Sequence, residues 1–195
     1  MWRRGFVQAS VNAITMLLFI CVALPGVANA AASKDQQRAD IRKTSGEILA
    51  RLYKAQPSAR SAIQKAAGYA VFSNFGMKIL VAGSGTGKGL AVDNKTKKET
   101  FMKMVELQAG LGFGVKKFSL IWVFETQDNL GTFTNSGWEL GGQTSVAAKA
   151  GEQGAALQGA LAVSPGVWLY QLTETGLALE LTAKGTKYYK DDDLN

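Results

Sequence analysis

"GSGTGKG", Gly83–Gly89, places four glycines, a threonine and a lysine within seven residues. A phosphate-binding loop requires a glycine, four residues, then Gly-Lys and a Ser or Thr, set between a strand and a long helix. Counting back from Gly87-Lys88 puts Ala82 where the first glycine belongs, and Gly89 stands in place of the magnesium-binding hydroxyl. The following "GLAVDNKTKKE" holds no useful helical run, and the dinucleotide fingerprint fails at its second gap. This is not a nucleotide loop.

The period of the stretch is two. Gly83, Gly85, Gly87 and Gly89 alternate with Ser84, Thr86 and Lys88. "AGLGFGV" repeats the pattern, with Gly110, Gly112 and Gly114 between Leu111, Phe113 and Val115. Alternate residues of a strand share a face, so each stretch offers bare backbone on one side. Glycine weakens a strand, and rows of it mean a close approach. The approaching group is either a helix or strand of the same chain or an elongated apolar ligand such as an acyl chain. A turn within Gly85–Lys88 is a third reading, since glycine adopts positive φ freely.

Around this centre the texture is strand-like. "YAVFSNF", "MKILVAG", "GLAVDN" and "TFMKMVEL" are short and apolar, with "DNKTKKE" as a polar turn. "AGLGFGVKKFSLIWVFET" reads as two strands hinged near Lys116 and Lys117, and "QDNLGTFTNSG" as a single helical turn. "WELGGQTSVAAKA", "AALQGALAV", "GVWLYQLTE" and "LALELTAKGTKYY" complete the series. Closely spaced strands without βαβ alternation predict an antiparallel sheet or barrel-like unit over about 68–190. Helices are expected over about 33–67. The first carries Ile41, Ile48, Leu49, Leu52 and Tyr53 at helical spacing, and Pro57 ends it. Ser58 is the expected cap of a second, and Gly68 its stop. The fold class is α+β, glycine-rich and mainly antiparallel β, with N-terminal amphipathic helices.

Residues 1–30 read as a secretory signal peptide. Arg3 and Arg4 precede the apolar run "AITMLLFICVAL", Pro25 and Gly26 break it, and Ala28 and Ala30 satisfy the small–x–small cleavage rule. Ile20 is too bulky to precede a lipidated cysteine, so Cys21 argues against a lipoprotein. The expected location is periplasmic or secreted, peripheral on a membrane if attached at all, with residues 31–195 forming one domain.

The chain has no histidine and, beyond Cys21, no cysteine. Ser-His-Asp and Cys-His catalysis are excluded, as are zinc sites built on imidazole or thiolate. Carboxylate pairs such as Glu125 with Asp128 or Glu139 with Glu180 are formally available but common by chance, and Asp191, Asp192 and Asp193 offer weak calcium binding at most and read as solvated surface. No enzyme, metal, cofactor or nucleotide is expected. Basic and aromatic residues mix in "FMKM", "KKF" and "KYYK", but no nucleic-acid module accompanies them. The full chain carries a net charge of +7, and loss of Arg3 and Arg4 with the signal leaves +5, a moderate basic excess that suits either an anionic surface or ordinary solubility. The first helix either docks Ile41, Ile48 and Leu52 on the sheet or lies in a membrane interface. Among Trp122, Trp138, Trp168, Tyr188 and Tyr189, core placement is expected for the tryptophans, and the others are candidate interface anchors.

"AAGYAVFSNFG", "GKGLAVD", "FMKM", "GLGFGVKKF", "WVFET", "GWELGGQ" and the closing "GTKYYKDDDLN" occur in this order from about Ala67 to Asn195. In that order they resemble the SYLF-domain family. Eukaryotic members bind phosphoinositides, some fungal members bind and bundle actin, and bacterial members are exported. The resemblance implies a non-enzymatic lipid-binding module of the cell envelope whose partner is an anionic phospholipid or another envelope lipid. The alternative is a protein-interaction or structural module of the envelope, an actin-binding-like scaffold without lipid. In eukaryotic relatives a basic amphipathic segment near the N-terminus of the domain contributes to binding, and the helix with Arg38, Arg42, Lys43, Arg51 and Lys54 is similar to it. With Lys88, Lys116 and Lys117 these are the candidate lipid-binding residues.

Overall fold

"FSLIWVF" is apolar at almost every position, the pattern of a strand covered on both faces. In the computed structural model it lies in β4 (Gly114–Phe124). Phe118, Leu120, Trp122 and Phe124 line one face, and Ile121 and Val123 the other. The structure describes residues 33–79, 82–109, 114–140, 157–178 and 185–195, with backbone alone at 74–79, 82–84, 107–109 and 114–116.

The other strands are β1 (Gly68–Ile79), β2 (Ala82–Asp93), β3 (Glu99–Ala109), β5 (Trp138–Leu140), β6 (Leu161–Ser164), β7 (Val167–Thr173), β8 (Gly176–Ala178) and β9 (Thr186–Lys190). They form one nine-stranded sheet in the order β5-β9-β3-β2-β1-β4-β7-β6, with β8 also on β7. All pairings are antiparallel. The sheet curls into a half-barrel. Trp122 of β4 and Tyr188 of β9 lie four strands apart in that order, yet their rings meet edge-on at 5.0 Å across the concave side.

β1 is a single strand through "YAVFSNF" and "MKI", not two. The glycine stretch is extended and paired on both sides, Gly85 with Gly76 and Glu106, and Gly89 with Phe72 and Met102. The alternation therefore holds and a turn at Gly85–Lys88 does not. The expected hinge at Lys116–Lys117 is also absent, because β4 pairs through it with Gly76 and Phe75.

Among the described residues, three helices cover the sheet. α1 (Lys34–Ala55) starts at Ser33, whose hydroxyl accepts from the Gln36 N–H at 3.1 Å. α2 (Ser58–Lys65) follows Pro57. Ser58 is its first helical residue, not its cap, and its hydroxyl accepts from Gln56 Nε2 at 2.7 Å. The free carbonyls at the end of α2 are held by Asn94 of the β2–β3 turn, which donates to Ile63 at 2.6 Å and Ala66 at 2.9 Å. α1 and α2 pack Ile48, Leu52, Ala59 and Ile63 on Val71, Ile121, Trp168 and Tyr170 of the convex face. Ile41 joins Leu90, Phe101 and Leu194. α3 (Gln127–Asn135) is longer than the expected single turn and is capped by the Thr126 hydroxyl. It drives Leu130 and Phe133 into the concave side.

Candidate functional site

Ile41, Ser45, Ile48 and Leu52 are the buried residues of α1 and mark one stripe along it. The apolar side is thus spent on the sheet and is not free to enter a membrane. The cations around this stripe fall into two groups. Arg38 donates to the Leu194 carbonyl and pairs with Asp35, both at 2.8 Å. Arg42 pairs with Glu99 at 2.7 Å and lies 5.1 Å from the centre of the Phe101 ring. Arg51 donates to the Thr173 carbonyl at 2.8 Å, and Lys88 to Gln37 at 2.9 Å. These four tie α1 to the sheet and the C-terminal segment.

Lys43 and Lys54 differ. Eleven residues apart, they stand three turns from one another on the outward side of α1. Both are exposed, and neither makes a hydrogen bond or ion pair to a described residue. Glu47 shares that side, so the face is mixed in sign. Arg60 of α2, not anticipated from the sequence, stacks 4.4 Å from the centre of the Tyr53 ring. Lys117 is exposed but engaged, and Lys116 is placed only by its pairing with Gly76. The candidate cations therefore do not converge on one point.

The concave side is packed, and the first reading of the glycine row holds where side chains are described. A Cβ on Gly89 would strike the Phe72 ring, and one on Gly87 would lie 2.5 Å from the Ser73 carbonyl oxygen. Phe72, Trp122, Phe124, Phe133 and Tyr188 fill the interior edge to edge. Beneath them lies a buried polar layer of Glu106, Thr186 and the tips of Trp122 and Tyr188. Burial pushes the Tyr188 hydroxyl well above the usual phenol range. The Trp122 N–H and the Thr186 hydroxyl lie near it, but none of the three completes a hydrogen bond of good geometry. Trp122 and Trp168 are core residues as expected. Tyr188 is core as well, and Tyr189 alone of the two tyrosines is exposed.

Residues 105–195, from late β3 through β9, match the Ysc84 family model, described as "Las17-binding protein actin regulator". This segment belongs to the Ysc84 (SYLF) family. Likeness extends further toward the N-terminus in Beta cell expansion factor A of Aeromonas veronii, 34% identical over 159 residues that make up 82% of this chain. The chain spans 59% of the length of that relative.

In the closing segment of the Ysc84 region Asp192 and Asp193 are exposed as expected, but Asp191 is not. Asp191 is buried and accepts from Lys103 at 2.8 Å, with Asp193 second at 3.3 Å. The Lys103 ammonium is held above its ordinary range, chiefly by the Asp191 carboxylate. Asn195 completes the lock, donating to the Phe101 and Asp191 carbonyls at 2.8 and 2.6 Å. Glu125 is likewise engaged, accepting from the Trp168 indole at 3.0 Å.

One concavity lies where the Ysc84 region meets the preceding hairpin. It measures about 190 Å³, between α3 and the ends of β2, β3 and β9. Ala91, Leu130 and Gly131 give it an apolar base, and Asp93, Lys98, Lys190 and the α3 amides its polar wall. Asp93 is fixed by the backbone N–H groups of Lys95 and Thr96 at 2.7 and 2.9 Å. Its carboxyl sits below the usual range, with the Thr96 N–H the largest cause. Sequence reasoning missed this groove because its walls come from four separate segments. A glycine in the middle of α3 was the available signal.

Proposed function

We propose that the chain is a non-enzymatic lipid-binding protein of the cell envelope, exported by its first thirty residues and drawn to anionic phospholipid by basic residues. The observation that carries this reading is the pair Lys43 and Lys54, exposed on α1 without partners among the described residues while the arginines beside them are engaged. An unpaired lysine loses no intramolecular bond on meeting a headgroup, and each contributes about 1 kcal/mol near an anionic surface. The buried stripe of α1 makes the attachment electrostatic and peripheral, without insertion of that helix. Membership of a family of binding proteins supports the non-enzymatic part.

A second reading has a specific support: the matched family is described by a protein partner and actin regulation. In it the same surface docks an envelope protein. Co-sedimentation with neutral and anionic vesicles across a salt series separates the two. Binding confined to anionic vesicles and weakened by salt is expected for lipid attachment. Failure to sediment with either kind of vesicle would leave the protein partner as the better reading.

A further inference from the structure

We propose that the groove between α3 and the β2–β3 hairpin is a binding site for a phosphoethanolamine group, with Lys98 and Lys190 taking the phosphate and Asp93 the ammonium. The charges on its wall select this class. Two lysines and one carboxylate line the groove, so a ligand with an anionic and a cationic end meets both signs. Among described residues neither lysine has a side-chain hydrogen bond or ion pair, so both are available. Asp93 stays ionised because its own turn donates to it, which leaves a fixed negative charge beside the two cations. A second anionic group, as in phosphoserine, meets that charge and is disfavoured. The amide of Asn135 adds a donor, Gln127 donates to the Ala67 carbonyl at 3.4 Å, and Ala91 with Leu130 gives the ethylene carbons an apolar base.

The space itself is held open by one residue. Gly131 lies in the middle of α3, where glycine is about 1 kcal/mol less favourable than alanine. A Cβ there would meet nothing closer than Asn135 Nδ2 at 4.0 Å. Among the described residues no close approach requires this glycine, and a longer side chain at this position would project into the groove. The volume, well above that of one water, suits a small headgroup and not an acyl chain.

The test is titration of the protein as purified from cells with phosphoethanolamine, O-phosphoserine, inorganic phosphate and ethanolamine, followed by amide resonances or calorimetry. Saturable binding of phosphoethanolamine is expected, several-fold tighter than O-phosphoserine. K98Q/K190Q should weaken it about tenfold, and Gly131→Leu should abolish it without lowering Tm. Absence of saturable binding, or equal affinity in Gly131→Leu, overturns the site. Neutral phosphatidylcholine vesicles with and without phosphatidylethanolamine distinguish a lipid-borne group from a free one. Retention only on the former marks a membrane ligand, and binding of the soluble compound alone marks a free phosphoester. Attachment through α1 is read separately on anionic vesicles lacking ethanolamine lipid, where wild type and Gly131→Leu should sediment alike. Loss there with phosphoethanolamine binding intact sinks the α1 reading and spares the groove.

Discussion

Phe72 of β1 occupies the space above Gly89, its cross-strand partner on β2. The ring fills the space that a Cβ on Gly89 would occupy. This pairing turns a row of glycines, individually weak strand formers, into a seat for the central aromatic of the concave side.

Gly89→Ala should therefore destabilise the fold by about 1–3 kcal/mol, the range for overpacking a filled core. Phe72→Leu alone should also destabilise. The double variant should lose less than the sum of the two, because the smaller side chain makes room for the added methyl. Denaturant midpoints of the four proteins in this cycle test it, and strict additivity would refute the contact as the cause.

Gly46 of α1 and Gly131 of α3 are glycines of the opposite kind. A Cβ on the first meets nothing within 4 Å, and on the second only Asn135 Nδ2 at 4.0 Å. Alanine at either site should stabilise the protein by up to about 1 kcal/mol, through helix propensity and a less flexible unfolded chain. Thermal melts of the single variants read this directly.

The Tyr188 hydroxyl is buried without a completed hydrogen bond to a described residue. Removing such a group avoids a desolvation cost of about 1–3 kcal/mol while keeping the ring contacts with Phe72, Trp122 and Phe133. Tyr188→Phe should thus be neutral or stabilising, whereas Tyr188→Leu should destabilise. A clear fall in Tm for Tyr188→Phe would show that the hydroxyl is bonded after all.

How much of this was legible beforehand differs by element. The period-two glycines of Gly83–Gly89, the docking stripe Ile41–Ile48–Leu52 and the antiparallel class follow from local spacing and survive in the structure, whereas Gly110 and Gly112 of the second row lie outside the described residues. The hinge at Lys116–Lys117 did not, because adjacent lysines resemble a turn in sequence while β1 holds them in register. Local sequence predicts only a single turn at α3 because Gly131 and its threonines are poor helix formers. Burial of Leu130 and Phe133 overrides that preference. As for the site, the sequence names the cations of α1 but not their partners. Arg42 meets Glu99 from 57 positions away, a distance no local pattern spans.

Lys103 is expected to matter through what it covers. Lys103→Met would leave the buried Asp191 carboxylate without its ammonium and should cost about 1–2 kcal/mol, moderated by the partial exposure of the lysine. The pKa of Lys103 is raised in the fold, so the pair is fully present below its ordinary value of 10.5 and fades as pH rises through the higher folded value. The gap between wild type and Lys103→Met should hold at neutral pH and close in strong alkali.

Lys43→Gln and Lys54→Gln should each lower partition onto anionic vesicles about fivefold at low salt, equivalent to about 1 kcal/mol, with Tm unchanged. Arg42→Gln should lower Tm as well, because that side chain bonds Glu99 and covers Phe101. Sedimentation and melting measured on the same samples separate surface charge from architecture.

The outermost strands are short. β5 has three residues, and on the far side β7 is bordered by β6 over its first half and β8 over its second. Central strands of twelve apolar and glycine-rich residues would be hazardous if they lay at a border, where unpaired amides can recruit another chain. Here the long strands are interior, and the described borders consist of interrupted pieces too brief to template growth. The arrangement keeps the backbone amides of the long glycine-rich strands paired within the chain and away from a second copy.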